Sequence, residues 1–176
     1  FKGKIVNEIE GLDVDFHSQN EDIITILSLE IQNLKDVNAS IAFMSNPNYF
    51  KGKNQYKAEG IGYIDAKRWS RLGDLPPHLL IQLKRFEYDY ASEERKKIST
   101  PFEVPMSLQL PQTYHLRGAV LHAGSAIGGH YISVVHTRDD TNRWILYNDT
   151  KTEVITHEQL LVLVEGRKDF TGYLLF

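Results

Sequence analysis

Apolar and polar positions alternate with a strand period over most of this chain and follow a helical period in only two places. Ile5 to Ile9 and Leu12 to Phe16 read as short strands around a turn at Glu10-Gly11, and Ile23 to Leu29 as a third strand partly buried on both faces. Leu34, Val37, Ile41 and Met44 then recur at helical spacing, predicting an amphipathic helix that starts near Asn33 and is ended by Asn46-Pro47-Asn48. Tyr49 to Gly62 is polar and reads as a loop or extended projection. Beyond it come strands over Ala66 to Leu72 and His78 to Phe86, the latter with Leu79, Ile81 and Leu83 on one face and Leu80, Lys84 and Phe86 on the other. Tyr90 to Lys97 is charged and loop-like, and Tyr114 to His122 and Gly129 to Thr137 are again strands. One later helix is expected over Thr156 to Val164, where Thr156 and Gln159 have the spacing of a capping box and Leu160, Leu161 and Val164 form an apolar stripe. Phe170 to Phe176 closes the chain as a strand, and the class is α+β dominated by antiparallel sheet.

Two of these segments carry chemistry. Residues 130–137 and 143–149 are rich in β-branched and aromatic residues and flank a polar run of turn formers, Arg138-Asp139-Asp140-Thr141-Asn142. Pairing Thr137 with Arg143 places His130 and Asn148 as diagonal neighbours on one face, about 7–8 Å apart at the backbone. Tightening the loop by two residues sets them directly opposite, and any odd shift throws them onto opposite faces. A histidine acting as general base needs a partner on its second ring nitrogen, and Asn or Asp supplies one. Gly128 and Gly129, just before His130, permit close approach of another backbone. The plain alternative is a hairpin in which His130 is merely capped and Asn148-Asp149 begins a turn.

Composition narrows the classes. The 176 residues suit one domain or part of a larger one, and 41% hydrophobic content is enough for a core. A net charge of −3 with no basic stripe argues against nucleic-acid binding. No run of about 18 apolar residues suggests a membrane span, and the N-terminus lacks the apolar core of a signal peptide. The chain starts at Phe1, which points to a piece of a longer protein, soluble and intracellular, cytoplasmic or nuclear. With zero cysteines it can form no disulfide and no Cys-ligated zinc site, so no metal or other cofactor is expected. Any nucleophilic thiol must come from elsewhere.

Four segments, taken in order, resemble the ubiquitin-specific proteases, a family of cysteine deubiquitinases. They are Leu75-Pro76-Pro77 running to Lys84-Arg85-Phe86; Tyr114 to Gly124 continuing into Gly128-Gly129-His130-Tyr131; Trp144 to Asp149; and Tyr173 to Phe176. Each is weak alone, and their order and spacing make the signal. The likeness covers the whole chain but only the C-terminal, fingers-and-palm part of that family's papain-like catalytic domain, leaving the thumb and its nucleophile N-terminal to Phe1. Many members hold the fingers with two Cys-x-x-Cys pairs. Their absence here is closer to the zinc-free herpesvirus-associated branch.

The resemblance implies that His130 is the general base, Asn148 its orienting partner and Asp149 an adjacent acid supporting the site or its oxyanion. It implies that His122 and the loop Ala123 to Gly128 gate the substrate beside the Tyr90 to Lys97 loop. The glycine-rich loop Ala123 to Gly129 is expected to be mobile or displaced without ubiquitin, which can part His130 from Asn148; the plain alternative is a fixed tight turn between the two flanking strands. Phe86, Tyr131, Gly128 and Gly129 would border the channel for the ubiquitin tail, and Leu34 to Gly62 would cradle its globular part. The partners implied are ubiquitin, ubiquitinated proteins and the missing thumb segment. Without the resemblance, His122 reads as a hydrogen-bonded structural histidine, and Phe86 and Trp144 as core or edge aromatics. His17, His78, His115, His136 and His157 have no catalytic part in this reading. The rival function is a catalytically dead ubiquitin-binding or scaffolding pseudoprotease of the same fold, which the residue at the upstream cysteine position would distinguish.

Overall fold

A computed structural model describes residues 1–137 and 143–176. In chain order the elements begin with β1 (Gly3–Gly11), β2 (His17–Ile24), β3 (Leu27–Leu29), α1 (Val37–Met44), β4 (Asn48–Phe50), a 3-10 turn (Gly52–Asn54), β5 (Tyr56–Ala58), β6 (Gly62–Ile64) and β7 (Ala66–Leu72). Next come β8 (Ile81–Leu83), β9 (Phe86–Asp89), β10 (Glu94–Lys97), β11 (Ser107–Gln109), β12 (Thr113–His115), β13 (Gly118–Gly124) and β14 (Gly129–His136). β15 (Trp144–Asn148), β16 (Lys151–Ile155), α2 (His157–Val164) and β17 (Phe170–Leu175) complete the set. The expected α+β class with mainly antiparallel sheet is what forms: among the described residues β3–β8 is the one parallel strand pair.

The chain divides into two compact units, Phe1–Thr25 with Ile41–Pro77, and Ile26–Ser40 with His78–Phe176. In the first, a four-stranded sheet runs β2-β1-β7-β4, and β5 and β6 form a separate hairpin. Ile9, Ala58, Ile64 and Ala66 are its buried cluster, with Phe16 and Tyr56 packed against them. In the second, a seven-stranded sheet runs β16-β15-β14-β13-β17-β8-β3. Leu27, Leu29, Leu83, Leu121 and Val134 fill its core, and α2 brings Leu160 and Val164, both fully buried, against β17 and β13. Gly172 permits that approach, because a Cβ there would lie 2.7 Å from Val164 O.

Several expected boundaries move, each for a physical reason. Leu12 to Phe16 is not a strand but the connection closed by Gly11 N–H donating to Phe16 O at 2.8 Å; the strand that follows is the polar segment His17–Ile24 on the sheet edge. Ile23 to Leu29 is two strands separated by a bend at Thr25-Ile26. The first helix starts at Val37, not near Asn33, whose φ of 61° is left-handed; the Asp36 carboxylate caps the helix by accepting from Ala39 N–H at 2.8 Å. Tyr49 to Gly62 holds short strands and a 3-10 turn rather than one loop, and Tyr90 to Lys97 contributes β10. The expected strand from Tyr114 to His122 is broken at Leu116-Arg117, because β12 pairs with β11 instead. The capping box forms as expected: the Thr156 hydroxyl accepts from Gln159 N–H, and Gln159 Oε1 accepts from Thr156 N–H. The polar run Arg138 to Asn142 lies outside the described residues.

Candidate active site

β14 and β15 pair with Ser133 opposite Tyr147 and His136 opposite Trp144, and Thr137 N–H donates to Arg143 O at 2.7 Å. This is the wider of the two same-face registers that the sequence allows. His130 and Asn148 are therefore diagonal neighbours, and the imidazole spans the diagonal, with Nε2 2.6 Å from Asn148 Oδ1. An amide oxygen can only accept, so the proton sits on Nε2 and Nδ1 is left as the basic nitrogen. The expected parting of these two residues is not seen. Between β13 and β14 the chain makes a tight turn, closed by Ser125 N–H donating to Gly128 O at 2.9 Å.

Asp149 begins a two-residue turn that joins β15 to β16, with Asn148 opposite Lys151. Its φ of 52° is a left-handed conformation that Asp adopts more readily than most residues. The turn leaves the carboxylate 78% exposed, with Oδ2 4.0 Å from His130 Nε2. That is too long for a hydrogen bond.

The other predicted residues meet on a neighbouring surface of the same unit. His122, buried on β13, packs edge-on to Phe86 at 5.2 Å between ring centroids and against Tyr131 at 4.7 Å. Tyr173 closes the group, 5.6 Å from Phe86 and 5.9 Å from Tyr131. Burial, and secondarily the Lys97 ammonium, hold the His122 imidazole below its ordinary pKa. Its Nδ1 is buried without a partner among the described residues. The Tyr131 phenol is pushed up by burial and then by Tyr173. A cleft of about 470 Å³ opens over this cluster and is bordered by Phe86, His122, Gly128, Gly129, Tyr131 and Tyr173. His130 and Asn148 are not among its lining residues. His130 sits between two that are, with its side chain directed to the opposite face of β14 from Tyr131.

Three participants were not singled out from sequence. Tyr173 reaches the cluster because the pairing of β13 with β17 slips between Val120 and Leu121, leaving Tyr173 unpaired as a bulge residue. Lys97, expected only as part of a loop, donates to His122 O at 3.0 Å and Gly124 O at 3.2 Å. Arg85 is fully buried and donates to Gly172 O, Ile98 O and Thr100 O. A charged residue inside an otherwise aliphatic strand was the available signal for it. No group of side chains suited to hold a metal ion occurs among the described residues, and no described helix is long and apolar enough to cross a membrane.

Residues 5–176 match the family model described as ubiquitin carboxyl-terminal hydrolase, and the chain belongs to that family. It is 34% identical, over 91% of its length, to ubiquitin C-terminal hydrolase 12 of Arabidopsis thaliana. Ubiquitin C-terminal hydrolase 13 of the same plant is 32% identical over 86% of the chain, and ubiquitin carboxyl-terminal hydrolase 15 of Saccharomyces cerevisiae 26% over 91%. The chain spans about 15% of the length of each of these relatives.

Proposed function

We propose that this chain is the fingers-and-palm part of a cysteine-type deubiquitinase and supplies its general base and orienting amide. The observation that carries this reading is the 2.6 Å bond from His130 Nε2 to Asn148 Oδ1, which leaves Nδ1 available to a thiol. The thiol belongs to the thumb segment of the complete enzyme. Its proton passes to His130 Nδ1 while the sulfur attacks the carbonyl carbon of the C-terminal glycine of ubiquitin. The imidazolium then returns the proton to the departing lysine amine as the C–N bond breaks, leaving a thioester. Water, deprotonated by the same imidazole, hydrolyses the thioester and regenerates the thiol. Asn148 holds the ring through Nε2–H in both half-reactions, and Asp149 is the adjacent acid that supports the site. The cleft bordered by Phe86, His122, Gly128, Gly129 and Tyr131 receives the ubiquitin tail, for which the absent side chain of Gly128 leaves room. The unit built on β1, β2, β4 and β7 provides finger surface without zinc, as in the herpesvirus-associated branch. The setting is intracellular, and the partners are ubiquitin and its conjugates.

The test uses the full-length protein and a fluorogenic amide of the ubiquitin C-terminus. His130→Ala is expected to lower kcat by about 10²–10⁴-fold while ubiquitin binding persists. A wild-type protein that binds ubiquitin without turnover would instead be the scaffolding pseudoprotease.

A further inference from the structure

The cleft has two walls of different origin. One is the β9–β10 hairpin, which contributes Phe86, Glu87, Tyr88 and Arg95; the other is the turn between β13 and β14, which contributes Ser125 to Gly129. The hairpin is a separate two-stranded sheet, with no strand ladder to the seven-stranded sheet among the described residues. Ring contact between Phe86 and His122 presses the walls together, but such contact is weakly directional and does not fix their spacing. Lys97 does. It is the last residue of β10, paired with Phe86 at the foot of the hairpin. From there its ammonium donates to His122 O and Gly124 O, where β13 enters the turn. Gly124 is opposite Gly129, and Ala123, between the two bonded carbonyls, is opposite His130.

We infer that Lys97 is a positioning residue, a staple that ties the β9–β10 hairpin to the 124–129 turn and so sets the width of the cleft. Two charge-assisted donors from one side chain to two carbonyls two residues apart fix both a distance and an angle. Thr171 provides an internal comparison. Its hydroxyl donates to the same His122 O at 3.2 Å, but from β17, inside the seven-stranded sheet. Losing it removes a bond without untying the walls.

Lys97→Met keeps the aliphatic stem and removes the donors; Lys97→Gln, too short to reach both carbonyls, makes the same comparison should the first variant fail to fold. In the full-length enzyme, hydrogen exchange is expected to speed up together in the 124–129 turn and the 86–97 hairpin of the Lys97 variant. Thr171→Val should speed neither. In the kinetic arm, which rests on the function proposed above, KM for the ubiquitin amide should rise roughly tenfold. There kcat should stay within about threefold, because the His130–Asn148 bond does not involve Lys97. Unchanged exchange in the Lys97 variant, or the same exchange and KM pattern in Thr171→Val, overturns the staple. A wild-type enzyme without turnover overturns the proposed function, and the exchange comparison then decides the staple by itself.

Discussion

Gly129 and the His122 imidazole meet so closely that a single added methyl would overlap the ring. A Cβ on Gly129 would strike His122 Nε2 and Ala123 O, and would lie 2.8 Å from His122 Cε1. The obstruction includes backbone on the paired strand, which cannot swing aside as a flexible side chain can. Gly129→Ala is therefore expected to destabilise the protein by about 1–3 kcal/mol, several degrees in a thermal melt. A Cβ on the neighbouring Gly128 meets nothing within 4 Å, so Gly128→Ala should shift stability by less than about 0.5 kcal/mol. Equal melting temperatures for the two variants would contradict the close approach.

Arg85 is a cation buried on backbone carbonyls. Burial pushes its guanidinium down to about 10, so it remains charged at neutral pH. Its fork joins Gly172 of β17 to Ile98 and Thr100, the segment leaving the β9–β10 hairpin. Arg85→Met preserves much of the volume but strands these three carbonyls, at a net cost of roughly 3 kcal/mol or more. Arg85→Lys should recover little, because a single ammonium cannot reproduce the planar fork. Denaturant midpoints measure both, and a methionine variant as stable as wild type would refute this role.

The lowered pKa of His122 makes stability depend on pH in a definite direction. The unfolded chain takes up this proton near the ordinary value of 6.5, whereas the folded chain resists it, first by burial and then through the Lys97 charge. Below about pH 6.5 the unfolded state thus binds more protons. The stability that neutral His122 contributes is complete above that pH and is lost as pH falls toward the lowered folded value. Melts between about pH 7.5 and 5.5 should fall more steeply for wild type than for His122→Phe, which cannot titrate. Parallel slopes would remove His122 as the cause.

What could be seen in the sequence is what short-range pattern controls. Thr156 and Gln159 are three residues apart, so their capping box is a local property. The approach of His130 to Asn148 followed from strand alternation across one loop, although the choice between two same-face registers did not. The misread stretches depend on distant partners. His17 to Ile24 lacks an apolar rhythm because it is an edge strand held by β1 through backbone pairing. The strand expected through Phe86 breaks where Arg85 N–H bonds back to Leu83 O at 2.7 Å, turning its side chain toward carbonyls up to 87 positions away in sequence. Tyr173 is aimed by a slip in pairing between β13 and β17 that no residue pattern in either strand announces.

Asn148 orients the proposed base without exchanging a proton itself, and that distinction is measurable. Asn148→Ala leaves His130 Nε2–H without its acceptor, so the ring can rotate away from the thiol. A misplacement of this kind costs roughly a hundredfold or less in kcat/KM, short of the loss expected on removing the imidazole. The Asp149 carboxylate, 4.0 Å from the same nitrogen and mostly exposed, has room to move in and accept the stranded N–H. It should therefore carry the residual activity of the Asn148 variant. Asp149→Ala in the wild-type background should then cost little by comparison. In the Asn148→Ala background the same change should cost much more, so the double variant falls well below the product of the single effects. Steady-state kinetics of the four full-length proteins closes the cycle. Additive losses would show that Asp149 does not substitute for Asn148, and a double variant no worse than Asn148→Ala would show that the carboxylate never reaches the ring.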